Sequence, residues 1–404
     1  MLGALIGRDS APQRFRTRRP GYDCDLSTPG IAIVGAGITG LSIALHLLER
    51  GERSLVLYER TGIGAGASGV QPGGVRLQWG TEVNCRMARE SLRFYLEVSE
   101  RLRTRIDPCF RPCGYLFVAH SQQVLDRLAA NVELQGRLGV PSRIIGPEET
   151  AELVPALDSS TLVGGSFCAD DGYFDRPQSV VEAFAQAAGR AGATIEHDEV
   201  TSLEPAAAGW SLGLRRGGRA HASRVLVAAG CDSPRLLRSL GVELPITPEP
   251  RYIFYSDPIR ERLLEPLVVS GERRFAAKQL ADGRVLASDL GARGDSRSGE
   301  PEWRRHVRSV IRELLPRLEY VTFPLLVEGV YDVTPDRQAV LGAIPGCDGL
   351  FVAAGFSGHG FMMAPAVGRL VAGAIAEDEE DDVLRTLSVD RFARGELVLE
   401  PEVV

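Results

Sequence analysis

Gly35-Ala36-Gly37-Ile38-Thr39-Gly40 follows a short apolar run, Ile31–Val34, and opens a segment with helical spacing of apolar residues. At a strand-to-helix junction each of these glycines has a physical use. Gly35 permits a tight turn, Gly37 lets a pyrophosphate approach the backbone, and Gly40 lets helix and strand pack closely. The first helical turn, at Ile38 and Thr39, then offers unpaired N–H groups and a partial positive charge to an anion. Glu59 lies nineteen residues beyond Gly40, at the end of the next apolar stretch, Ser54–Tyr58. A carboxylate there accepts hydrogen bonds from ribose hydroxyls and repels a 2′-phosphate, which disfavours NADP. Strand, glycines, helix, strand and acid agree on one chemistry, the holding of a dinucleotide.

Two further glycine-rich stretches bear on which dinucleotide it is. Gly66-Ala67-Ser68-Gly69 leads to Gly73-Gly74-Val75-Arg76, just after Glu59-Arg60. Near the other end stand Thr334-Pro335-Asp336, Gly342, Gly355-Phe356-Ser357-Gly358-His359-Gly360-Phe361 and Ala364-Pro365. Between them Val225-Leu226-Val227-Ala228-Ala229-Gly230 reads as a second buried strand. Taken in this order, these motifs resemble the D-amino acid oxidase-like FAD-dependent oxidoreductases, a family that includes glycine oxidase, sarcosine oxidase and proline dehydrogenase beta subunit-like members. The likeness runs from about Ile31 to Phe392.

The resemblance implies non-covalent FAD held by Gly35, Gly37, Ile38, Thr39, Gly40, Glu59, Arg60, Ala67, Ser68, Gly73, Gly74, Val75, Val200, Ala229, Gly230, Gly355, Ser357, Gly358, His359, Gly360, Phe361 and Met362. The residues bear this reading independently. Backbone without side-chain bulk can approach a flat ring, and the N-terminus of a helix after Phe361 could stabilise negative charge on a reduced flavin. The resemblance also implies that Arg76 clamps a substrate carboxylate, where a guanidinium makes a bidentate pair. Tyr331 would line the pocket, and Lys278, the only lysine of the chain, would face the substrate or favour electron transfer to oxygen.

The chain departs from the sarcosine oxidase-like pattern in three places. Gly329 stands where a cysteine bonds FAD covalently, and Met362 stands where a lysine helps to hold carboxylate. The stretch Arg284–Asp289 has no clear counterpart of the oxygen-activating lysine. The expected reaction is hydride transfer from the C–N bond of a small amino acid or secondary amine to flavin, giving an imine that hydrolyses. The acceptor of the electrons is left open among oxygen, a quinone and a protein. Rival readings are oxidation of a 2-hydroxy acid or polyol, and a flavin-binding assembly factor without catalysis.

The elements that must position these residues follow from periodicity. Helices are expected over residues 39–50, 89–106, 122–138, 178–191 and 364–376, and strands at Ile31–Val34, Ser54–Tyr58, Arg224–Ala228 and Leu350–Ala354. A hairpin is expected around Ala281-Asp282-Gly283. The expected architecture is α/β. Residues 30–108, 165–244 and 326–392 form a discontinuous Rossmann-like FAD-binding domain; residues 109–164 and 245–325 form an α+β substrate domain on a mostly antiparallel sheet. Residues 1–29 are read as an N-terminal extension and 393–404 as a tail.

Composition agrees. The chain has 404 residues, 44% of them apolar and 25% charged, which excludes disordered and fibrous classes. Its formal net charge of −7 gives no electrostatic reason to expect nucleic acid. No apolar run approaches the ~18 residues of a membrane span. The seven cysteines are scattered without metal spacing, as expected of reduced thiols in a cytoplasmic protein.

Overall fold

The computed structural model describes residues 30–402, so the expected extension 1–29 lies outside the described residues. Ile31–Val34 is apolar at every position because it is central in its sheet. It pairs in parallel with Arg224–Val227 on one side and Leu55–Tyr58 on the other. The six-stranded sheet runs in the order 340–343, 350–354, 224–227, 31–34, 55–58, 194–196, with only the first pair antiparallel. Alternation along the central strand sends Ile31 and Ile33 toward the core containing the helices Ile38–Glu49 and Gly360–Glu377. Ala32 and Val34 face the opposite way, onto the three-stranded antiparallel sheet of residues 200–222.

The second unit is an eight-stranded sheet in the order 325–333, 247–255, 285–289, 275–279, 267–270, 115–119, 164–168, 143–145. Only the pairing of Leu267–Ser270 with Tyr115–Ala119 is parallel. The expected hairpin is present, with Phe275 opposite Asp289 and Gln279 opposite Val285. The chain is therefore a Rossmann-like α/β unit joined to a mostly antiparallel one. Two strands sit differently from expectation: Gly164–Cys168 and Leu325–Val333 hydrogen-bond into the large sheet rather than the parallel one.

Besides the expected hairpin, the 245–325 region holds a helix, Ser296–Leu314, that was not among the helices expected from periodicity. It buries Trp303, Val307, Val310, Ile311 and Leu314 along one stripe, but Pro301 and a dense run of charges obscure that period in the sequence. Pro365 has a similar effect on the last long helix, which starts at Gly360, four residues before its expected beginning. Proline has no N–H to bond the carbonyl four residues back. That carbonyl, on Phe361, instead accepts from the buried Tyr95 hydroxyl.

Arg391 ties the C-terminal segment to this core. Its Nε and one Nη reach the two oxygens of Asp336 at 2.8 and 3.0 Å, and its other donors go to the carbonyls of Leu387, Ser388 and Gln338. Burial would raise the Asp336 carboxyl, but the bidentate guanidinium outweighs it and holds the group below the usual carboxylate range. Removing one partner of such a pair leaves an uncompensated buried charge. Arg391→Met should lower unfolding stability by about 3–5 kcal/mol, with Arg391→Met/Asp336→Asn recovering part of it. Equal urea midpoints for wild type and the single variant would contradict this.

Candidate functional site

The glycine turn at residues 35–40 is built by close approach. Gly35 has φ +110°, and a Cβ there would lie 2.4 Å from the Ala228 carbonyl oxygen. A Cβ on Gly40 would lie 2.2 Å from the Gly35 carbonyl oxygen. The turn thus backs onto the Ala228–Gly230 strand end. Glu59 sits at its rim: one carboxylate oxygen accepts from Ala36 N–H at 3.0 Å, and the other from Thr61 and Gly62. The helix Ile38–Glu49 has no side-chain cap at Gly37. Its Ile38 N–H donates instead to the Ser68 hydroxyl at 3.1 Å, from the second glycine-rich stretch. Those two sequence motifs therefore meet at one helix N-terminus.

The second stretch continues into the strand Gly74–Val75. Gly74 has no room for a side chain, since a Cβ would fall 1.8 Å from the Tyr115 hydroxyl. Arg76 follows and is 2% exposed. Its guanidinium lies 3.7 Å over the Trp79 ring and donates to the carbonyls of Gln78 and Glu402. The turn after it is held by Asp171, whose oxygens accept from Leu77 N–H at 2.6 Å and Gln78 Nε2 at 2.9 Å. Ser166 donates to Gln78 Oε1 and completes the network. Burial pushes the Asp171 carboxyl up to about 7, against the opposing pull of these hydrogen bonds and of Arg76.

The third stretch closes on the same place. The His359 ring lies 5.0 Å from that of Trp79. Both its ring nitrogens are buried and have no hydrogen-bond partner. Burial, helped by the charge of Arg76, lowers its pKa to about 3, so the ring is neutral across the physiological range. Gly358, at φ +99°, packs so tightly that a Cβ would stand 2.2 Å from the Tyr331 ring. Tyr331 is flanked on its ring by the Arg251 guanidinium at 4.6 Å. The loop is ordered by Asp332, which accepts from Gly355 N–H at 2.7 Å through its carboxylate and from Ser357 N–H through its carbonyl. Burial raises that carboxyl to about 6.

Lys278 reaches the second glycine-rich stretch from the large sheet. It is 2% exposed, donates to the Pro72 carbonyl and lies 3.9 Å over the Tyr173 ring. Burial lowers its pKa to about 7, with Asp175 and Cys113 pulling the other way. Other expected residues lie apart from this junction. Phe361 turns its ring against Tyr95 and Phe174, Arg60 forms a half-exposed ion pair with Asp232 at 2.7 Å, and Val200 is buried between the sheets. The fold also brings Trp79, Tyr115, Asp171, Arg251 and Asp332 to this junction, and none of them was singled out in the sequence. Trp79 and Asp332 could have been found by their closeness to Arg76 and Thr334.

The chain belongs to the FAD-dependent oxidoreductase family, whose model matches residues 30–374. It is 28% identical to FAD-dependent oxidoreductase domain-containing protein 1 of Xenopus laevis, over 93% of this chain and 84% of that protein. It is 27% identical to glycine oxidase of Geobacillus kaustophilus, over 89% of this chain and 96% of the oxidase. The structure of L-proline dehydrogenase from P. horikoshii superposes with a TM-score of 0.84 at 29% identity, covering 92% of this chain and 99% of that one. FAD is thus the cofactor, and the residues present suit it. The helix N-terminus after Gly37 gives a pyrophosphate a bare backbone and a partial positive charge to approach, Glu59 offers a carboxylate to a ribose, and His359 presents two buried nitrogens still in need of partners.

The raised carboxyl of Asp171 has a consequence for stability. Between its unfolded value of 3.8 and its folded value of about 7, the folded chain keeps a proton that the unfolded chain has lost. Its contribution to stability therefore declines as pH rises through that window, at up to about 1.4 kcal/mol per pH unit. Asp171→Asn lacks this decline, so the advantage of wild type over the variant should shrink between about pH 4 and pH 7. Parallel stability profiles measured by urea unfolding would contradict it.

Proposed function

We propose that this flavoenzyme oxidises the C–N bond of a small amino acid or secondary amine, giving an imine that hydrolyses. When bound, the flavin supplies the hydride acceptor; the chain supplies position and charge. The observation that carries the reading is the junction of Arg76, Trp79, His359, Gly358 and Tyr331, where three separate glycine-rich or family-like motifs meet. Arg76 orients the substrate by its carboxylate, which would take the place of the neutral Glu402 carbonyl and offer the guanidinium an anion. Tyr331 and the Gly355–Gly360 backbone form the wall opposite. Gly329 carries no nucleophile, which supports non-covalent FAD. Lys278 approaches the Pro72–Gly74 backbone from the other side, where a cation could influence electron transfer to the acceptor.

The test is anaerobic flavin reduction with a panel of D-, L- and N-methyl amino acids. Bleaching by at least one of them is expected; a flavin that no amine or amino acid reduces would overturn the reading. Arg76→Lys and Arg76→Met should keep their flavin. Both should raise the KM for carboxylate-bearing amines, by about 10- to 100-fold for Arg76→Met, since charge-assisted hydrogen bonds are worth roughly 1.5–3 kcal/mol. Amines without a carboxylate should be unaffected.

Lys278 gives a pH signature. The ammonium is present below about pH 7 and lost above it. If the cation assists reoxidation, the rate of recolouring in air falls as pH rises through that value, and Lys278→Met removes the step. A stopped-flow profile that is the same in both proteins would exclude the role.

A further inference from the structure

Beside this junction a cleft of about 390 Å³ opens between the large sheet and the C-terminal segment. Five arginines line it: Arg127, Arg251, Arg274, Arg293 and Arg337. Two acids, Glu272 and Glu402, share its otherwise mainly apolar walls, so cations outnumber anions in the lining. Four acids, Glu249, Glu272, Asp289 and Glu402, stand against these five guanidinium groups, which leaves an excess of positive charge. Glu249 is shared between Arg251 at 2.9 Å and Arg293 at 3.4 Å. Asp289 stands 3.9 Å from Arg274 and also serves His306, and Glu402 meets Arg127 at 3.3 Å. Arg337 has no ion-pair partner among the described residues.

Two residues of the cleft wall also touch the junction. Phe117 lines it and lies 5.4 Å from the Arg76 guanidinium; Arg251 lines it and stacks on Tyr331. Backbone conformation singles out the same place. Five non-glycine residues adopt left-handed φ among the described residues, and two of them, Arg103 and Asp378, simply end helices. Ser357 belongs to the loop beside Tyr331. The remaining two are the cleft arginines Arg274, at φ +48°, and Arg337, at φ +58°. Long L-residues rarely hold that conformation unless the surroundings fix it, and it concentrates where ligands are bound.

We propose that this cleft receives a second carboxylate of the substrate, so that the molecule oxidised is a dicarboxylic amino acid or an N-(carboxyalkyl) amine rather than a compact monocarboxylate. One carboxylate engages Arg76, the C–N bond lies beside Tyr331, and the distal carboxylate reaches the arginines. Guanidinium forks suit a planar carboxylate bidentately, and the volume is at the lower end for small-molecule sites, ample for a chain of five or six carbons. The assignment rests on the reading that oxidation occurs beside Arg76.

The test uses the FAD-loaded protein and two acids of equal carbon count, glutarate and pentanoate, with affinity read by calorimetry and by perturbation of the flavin spectrum. Glutarate should bind at least tenfold more tightly than pentanoate. Arg274→Gln/Arg337→Gln, which alters two exposed side chains, should abolish that preference and leave pentanoate binding within about twofold of wild type. Equal affinities in wild type, or a preference that survives the double variant, would overturn the proposal. Inorganic phosphate competing better than glutarate would overturn the assignment to a carboxylate. None of these outcomes depends on turnover, so they remain distinct from a failure of the amine panel, which would remove the proposed reaction instead.

Discussion

The rest of the structure depends on three backbone segments occupying a space that admits almost no side chains. Beta-carbons on Gly35, Gly74 and Gly358 would stand 2.4, 1.8 and 2.2 Å from the Ala228 carbonyl oxygen, the Tyr115 hydroxyl and the Tyr331 ring. These are distances at which something must move. The constraint lets residues from the turn after the first strand, from the stretch after Glu59 and from the loop before the last long helix converge. Such convergence is what a long, flat dinucleotide requires of a protein, because its phosphates, ribose and ring system need backbone donors at several points along its length.

Around that bare backbone the chain places charges whose environments differ sharply. Asp336 and Arg391 are fully buried and mutually satisfied, and they serve to hold the C-terminal segment down. Arg76 is equally buried, but it stacks on Trp79 and spends its donors on neutral carbonyls, which leaves its charge uncompensated by any direct carboxylate contact. Lys278 and Asp171 are likewise shifted toward neutrality by burial. A fold tends to keep unneutralised buried charge where a ligand completes it. The difference between the satisfied pair and the unsatisfied guanidinium is what makes Arg76 the candidate for ligand contact.

The parallel unit was legible because its signals are local: a glycine turn between an apolar strand and an amphipathic helix, then an acid at the following strand end. Arg76, Tyr331 and the Gly355–Gly360 loop could be singled out because each adjoins a recognisable motif, and the fold brings them to one junction. Other features were not. The helix Ser296–Leu314 was masked by Pro301 and its charges, and the start of the last helix by Pro365, whose orphaned carbonyl is satisfied from 266 residues away by Tyr95. Asp171 and Arg251 carry no local signal at all, because their roles exist only after long-range packing. One of 45 arginines cannot be told from the next until the fold shows which ones share a cleft.

Reconstitution of the flavin-free protein decides whether these three segments form a single cradle for FAD. Wild type should take up one FAD per chain and acquire the visible flavin spectrum. Gly37→Val and Gly37→Leu, at a position where an added Cβ meets only the Ser68 hydroxyl, should remain folded by circular dichroism yet bind the flavin weakly or not at all. A wild-type protein that takes up no flavin, or folded variants that bind it as tightly as wild type, would contradict the claim.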